Sequence, residues 1–148
     1  MIAVIDASVA LKWQFKDEEA TGQAITLLRD FAEGKMELIS PTLFTYEIIS
    51  AVNVAIERKR VGDEDGYKAI ANITSLGIEL KAFHDLIEPT FRMARRYRLS
   101  PYDCAYMALA DKEECSLITG DKKLFNACRD RFPRAEWIGD YRSPPARI

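Results

Sequence analysis

The sequence is poor in the residues that most often mark an active site. It has one histidine, His84, in 148 residues. That excludes a histidine-rich zinc site, and His84 reads as a helix-start or surface residue. There is no Ser/His/Asp set and no Gly-rich phosphate loop. Its three cysteines, Cys104, Cys115 and Cys128, are odd in number and lack CxxC spacing. A complete disulfide framework is therefore excluded, and the cysteines read as small buried hydrophobes. Free thiols suit a reducing cytoplasm. Positive charge is not in excess either: 21 basic residues face 23 acidic ones, for a net charge of -2. Any polyanion contact must come from a local patch. No apolar run reaches the ~18 residues that span a bilayer. The start, MIAVIDASVALKW, lacks the basic n-region of a signal peptide and reads as a strand.

What is present is the balance of an ordinary globular domain, 48% hydrophobic and 30% charged. The length fits one domain able to bury a core. Short apolar runs alternate with helical patterns. Strands are expected at Ile2 to Ile5, Glu37 to Ser40, Ile78 to Lys81, Ser116 to Thr119 and Glu136 to Ile138. A helix is expected from about Ser8. Asp17-Glu18-Glu19 sits where carboxylates favour a helix N-terminus, and Ala20, Ala24, Leu27, Leu28 and Phe31 continue that helix to Gly34. Further helices are expected from Pro41 to about Arg60, Asp63 to Ser75, Asp85 to Arg98, Ser100 to about Glu114, and Asp121 to near Cys128. The alternation predicts an α/β fold, a sandwich around a mostly parallel central sheet, over residues 1–141. Residues 142–148, rich in Pro and Arg, are expected as a flexible C-terminal tail.

Four acids stand out. Asp6 follows the first strand, and Asp121 follows the strand holding Leu117 and Ile118. In an open parallel sheet these strand ends share one edge, where ligands bind. Each could equally be a helix N-cap. Asp103 fits a capping box with Ser100, and Pro101 stands at the first helical position. Glu47 lies at the edge of an apolar stripe of Phe44, Ile48, Ala51 and Ala55. A carboxylate buried there must pair with a cation, reach solvent, or bear a cost of several kcal/mol. Brought together, the four acids would repel one another, and a divalent ion would relieve that. All-oxygen ligands point to Mg²⁺ or Mn²⁺ rather than zinc.

The segments VIDASV (4–9), PTLFTYEIISAV (41–52), SPYDCAYMALA (100–110) and LITGDKKL (117–124) together resemble the PIN domain. They look most like the VapC-type ribonuclease toxins of prokaryotic toxin–antitoxin pairs. The resemblance implies a three-layer α/β/α sandwich and a Mg²⁺-dependent endoribonuclease hydrolysing RNA phosphodiester bonds. It implies metal-binding, catalytic roles for Asp6, Glu47, Asp103 and Asp121. Ser8 and Thr119 would orient those carboxylates. A cognate antitoxin and a homodimer are likewise implied. Where many relatives carry Asn three residues after the glutamate, this chain has Ser50.

RNA must still be attracted. Lys12, Lys16 and Lys122, with Lys123, lie near two of the acids in sequence and are candidates for phosphate contact. Arg92, Arg95 and Arg96 share one helix face, opposite Ile87, Phe91 and Ala94. Trp13 and Phe15 could stack on bases or pack in the core. A receiver domain would want an acidic pair near Asp6, and a haloacid-dehalogenase-type phosphatase would want Asp-x-Asp, where this chain has Ser8. A non-catalytic RNA- or partner-binding module with this fold is the remaining alternative.

Overall fold

A computed structural model describes residues 1–146. The strands are β1 (Ile2–Ile5), β2 (Glu37–Pro41), β3 (Glu79–Lys81), β4 (Ser116–Thr119) and β5 (Ala135–Trp137). The helices are α1 (Ala7–Gln14), α2 (Thr21–Ala32), α3 (Leu43–Glu57), α4 (Asp63–Thr74), α5 (Ile87–Tyr97), α6 (Pro101–Lys112) and α7 (Lys122–Cys128).

The five strands form one sheet in the order β3-β2-β1-β4-β5, and every pairing is parallel. Parallel strands are covered on both faces, which explains why Val4, Ile5, Leu117 and Ile118 read as unbroken apolar runs and are all buried. The order runs outward from β1 through β2 to β3 on one side, and through β4 to β5 on the other. The reversal therefore falls between β1 and β4, and the crevice at their carboxyl ends is where such a sheet takes ligands. Helices cover the sheet as an α/β sandwich. In α6 every residue from Cys104 to Ala110 is buried. That helix packs across β1, β2 and β4 and against α5. It points its N-terminus, and with it Asp103, at the crevice.

Several element ends differ from the sequence reading. Asp17, Glu18 and Glu19 do not open α2, which begins at Thr21 after Ala20 in the left-handed region at φ 60. The segment is instead held by buried Lys12, whose Nζ donates to the Glu19 carbonyl at 2.7 Å and lies 3.7 Å from the Glu18 carboxylate. Pro41 does not open α3: it stays in β2 opposite Lys81. His84 to Leu86 form a 3-10 turn before α5. The last strand lies one residue earlier than expected. Of the expected tail, 142–146 carry no regular secondary structure, and 147–148 lie outside the described residues. Among the described residues no helix is long and apolar enough to cross a membrane.

Candidate active site

Asp6 leaves β1 at the switch point and caps α1, its carboxylate accepting from the Val9 amide at 3.4 Å. It is buried at 6% exposure, so its oxygens need donors from the protein. Ser8 Oγ donates to Oδ1 and Thr119 Oγ1 donates to Oδ2. Each hydroxyl is itself oriented by the turn after β4: the Gly120 amide donates to Ser8 Oγ at 2.8 Å, and the Asp121 amide to Thr119 Oγ1 at 3.0 Å. The two strand ends are thus joined through two hydroxyl relays that converge on one carboxylate.

That junction leaves no room beside Gly120. A Cβ there would sit 3.0 Å from the Ser8 carbonyl oxygen and 2.5 Å from Lys12 Cε. The Ser8 backbone cannot yield without moving Asp6. Gly120→Ala is expected to lower stability by about 1–3 kcal/mol, the usual cost of overpacking. Thermal melting measures this, and an unchanged midpoint would show that the junction is looser than described.

Asp121 is exposed, and its Oδ1 accepts from the Leu124 amide at 3.1 Å, capping α7. Asp103 stands in the first turn of α6. Its expected capping box is only half formed: Ser100 Oγ accepts from the Tyr102 amide at 3.1 Å, and among the described residues the Asp103 carboxylate makes no hydrogen bond. It is therefore left to face the crevice. Glu47 projects from α3, and Tyr106 Oη donates to its Oε1 at 2.6 Å. Tyr106 is 1% exposed and was not anticipated as part of the site. It lies three residues after Asp103, on the same face of one helix, and that spacing is the signal that could have found it. A phenol, rather than a cation, thus meets one oxygen of Glu47.

Asp6, Glu47, Asp103 and Asp121 line one open cavity of about 520 Å³, together with Ser8, Ser50, Tyr46 and Tyr102. No lysine, arginine or histidine is among its lining residues. Burial, opposed in part by the Ser8 and Thr119 bonds, pushes the Asp6 carboxyl up to about 6. Burial first, then the charges of Glu47, Asp121 and Asp6, push Asp103 up to about 6. Burial and the Glu47 carboxylate push the Tyr106 phenol upward, so it stays a donor. The donor set is hard oxygen throughout, suited to a small divalent cation. Among the described residues no three His, Cys, Asp or Glu side chains are close enough together to cage one ion. The arrangement suits an ion such as Mg²⁺, which keeps several waters and binds through one or two carboxylates, better than a metal needing an all-protein cage.

The PIN domain matches residues 3–130, which include all four acids. The chain belongs to the PIN domain family. VapC ribonuclease Mb0985 of Mycobacterium bovis and ribonuclease VapC9 of Mycobacterium tuberculosis are each 33% identical over 130 residues, covering 88% of this chain and 94% of theirs. Among solved structures, PAE2754 from Pyrobaculum aerophilum shares the fold at a TM-score of 0.67 and 18% identity, covering 93% of this chain and 92% of its own. VapBC2 from Rickettsia felis, bound to a DNA fragment from its promoter, does so at 0.63 and 14%, covering 93% and 98%.

The PIN domain does not bring every candidate to the acids. Lys12, expected to contact phosphate, is 2% exposed and occupied by Glu19 and Glu18. Burial against the Gly120 turn removes it from solvent. Lys16 lines a different depression with Asp17 and Arg60. Lys122 follows Asp121 but lies 3.8 Å from Glu19 and over the Trp137 ring at 5.0 Å. Trp13 is a core residue, its Nε1 donating to the Ala24 carbonyl at 2.7 Å. Phe15 is half-buried beneath Arg60. Ile87 and Phe91, the expected apolar face of α5, are 59% and 67% exposed. His84 is exposed beside Asp85, away from the cavity.

Proposed function

We propose that this PIN domain is a metal-dependent endoribonuclease, the toxin of a toxin–antitoxin pair. One observation carries the chemistry: four carboxylates from β1, α3, α6 and the β4–α7 turn line one cavity without a basic side chain among its lining residues. Such a set repels an RNA phosphate unless a cation lies between. Asp6 and Asp103 would hold Mg²⁺, or Mn²⁺, directly, with Glu47 and Asp121 completing the site or acting through water. The bound ion supplies Lewis acidity and a lowered pKa for its water. Ser8 and Thr119 orient Asp6, and Tyr106 orients Glu47. The VapC names of the relatives support the ribonuclease reading and, with it, a cognate antitoxin partner; a homodimer belongs to the same reading.

One alternative is a non-catalytic RNA- or partner-binding module with this fold. Incubating the purified protein with structured RNAs under Mg²⁺, Mn²⁺ or EDTA separates the two. Cleavage that needs the divalent ion is expected. Cleavage that persists in EDTA overturns the metal mechanism, and RNA binding with no cleavage under any metal favours the module.

A further inference from the structure

The carboxylate cavity offers RNA no cationic side chain, and the chain as a whole is acidic at a net charge of -2. Beyond the ion proposed for that cavity, cationic contacts to a polyanion come from elsewhere on the surface. A second cleft, of about 510 Å³, lies between α5 and the segment Arg131–Arg134. Arg92, Arg96, Arg131 and Arg134 line it, against the single carboxylate of Asp111. We propose that this cleft binds the phosphodiester backbone of RNA at a distance from the scissile bond. The proposal rests on the ribonuclease reading above.

The arginines are held in place by their surroundings. Arg96 and Arg131 both lie over the Tyr97 ring, at 5.5 and 5.0 Å from its centroid. Arg131 Nη2 donates to the Tyr97 carbonyl at 3.2 Å, which fixes its guanidinium and leaves most of its five donors unused. Arg92 pairs with Glu88 and Arg134 with Asp111, but these pairs are solvent-exposed. Exposed pairs are worth about 0–1 kcal/mol, so a phosphate displaces the carboxylate at little cost. Planar guanidinium groups match phosphate geometry in a bidentate way. The sequence had put Arg92, Arg95 and Arg96 on one face. The fold selects Arg92 and Arg96 from it and adds Arg131 and Arg134 from a later segment of the chain.

The cleft is also within reach of the acids. Arg96 precedes Asp103 by seven residues across the short α5–α6 connection. Seven residues span at most about 25 Å fully extended.

The test is binding of a fluorescent single-stranded oligouridine to the full chain in EDTA, where metal-dependent cleavage is blocked. The proteins are wild type, Arg92→Gln/Arg96→Gln, and Lys68→Gln as a control on exposed α4. The double variant changes two exposed side chains, and melting confirms that it folds. Its plot of log affinity against log salt should be shallower by about 1.4, from two contacts at about 0.7 each for a single strand. Binding at 0.1 M salt should then be roughly 25-fold weaker. An unchanged slope, or an equal change in Lys68→Gln, overturns the proposal. So does displacement by polyglutamate as effective as by unlabelled RNA, which would mark a site for acidic protein. Cleavage in Mg²⁺ is scored separately. An intact slope with active cleavage refutes only the cleft, and a reduced slope without cleavage refutes only the nuclease.

Discussion

Asp103→Asn is expected to lower RNA cleavage by more than about a hundredfold while raising the melting temperature of the metal-free protein. The first effect follows from the proposed direct contact with the ion. Loss of an outer partner of a metal site costs about 10–100-fold, and loss of a ligand should exceed that. The second follows from electrostatics. Burial and the charges of Glu47, Asp121 and Asp6 raise the Asp103 carboxyl from 3.8 to about 6. At pH 7 the folded protein therefore carries an ionised group that it disfavours, at an upper bound of about 3 kcal/mol. Solvent reaches this half-buried side chain and reduces that figure. Asparagine also gives up the attraction of a carboxylate to the α6 N-terminus, worth about 0.3–1 kcal/mol. A net gain of about 1–2 kcal/mol remains, or roughly 2–8 °C in a domain of this size. Cleavage at the wild-type level, or a lower melting point in EDTA, would contradict the assignment of Asp103. The two readouts move in opposite directions, so general damage to the fold cannot imitate the result.

The pH dependence of stability gives a second large effect. Asp6 and Asp103 both have folded-state values of about 6 against 3.8 for the ordinary group. Between those values the folded state binds more protons than the unfolded chain, so stability falls as pH rises. Above about pH 6 the full penalty is in force. The metal-free protein should therefore melt higher at pH 5 than at pH 7.5. The difference is on the order of a few kcal/mol, below the sum of the two shifts, because neighbouring carboxylates titrate as a coupled set. Asp30 does not confuse the window. Burial raises its carboxyl, but bonds from Tyr141 and Ser143 with the charges of Lys35 and Arg29 hold it below the ordinary value. Its contribution is present above about pH 4 and is lost only as pH falls below that. Adding Mg²⁺ at pH 7.5 should recover stability in proportion to the logarithm of its concentration over its Kd. Melting curves at the two pH values, with EDTA or Mg²⁺, measure this. A flat profile, or one that Asp6→Asn and Asp103→Asn do not flatten, would refute it.

Much of the site was legible because it rests on local rules. Strand ends at Asp6 and Asp121 follow from the β-type runs before them, and the four short motifs identify the family without any contact being known. Ser8 and Thr119 were marked by the same resemblance. The failures have a common cause. Lys12 is near Asp6 in sequence, but α1 turns it toward the Gly120 turn and Glu19. The acids at 17–19 look like a helix start, but they are engaged elsewhere: Asp17 with Arg60, Glu18 with buried Lys12 and Glu19 with Lys122. Tyr106 looks like one more apolar residue in a buried helix until Glu47 arrives from α3.

The sequence by itself determined the order of strands and helices, the oxygen-only character of the four acids and the family. Each of these depends on residue type and short-range spacing. That the four acids named by the motifs share one cavity, that Tyr106 bonds Glu47 beside it, and that the nearby lysines stay outside its lining, only the tertiary structure decided. Strand order places β1 beside β4, and helix orientation turns Lys12 inward. Those are long-range packing outcomes, with contacts such as Thr119 to Asp6 spanning 113 positions, and no local spacing encodes them.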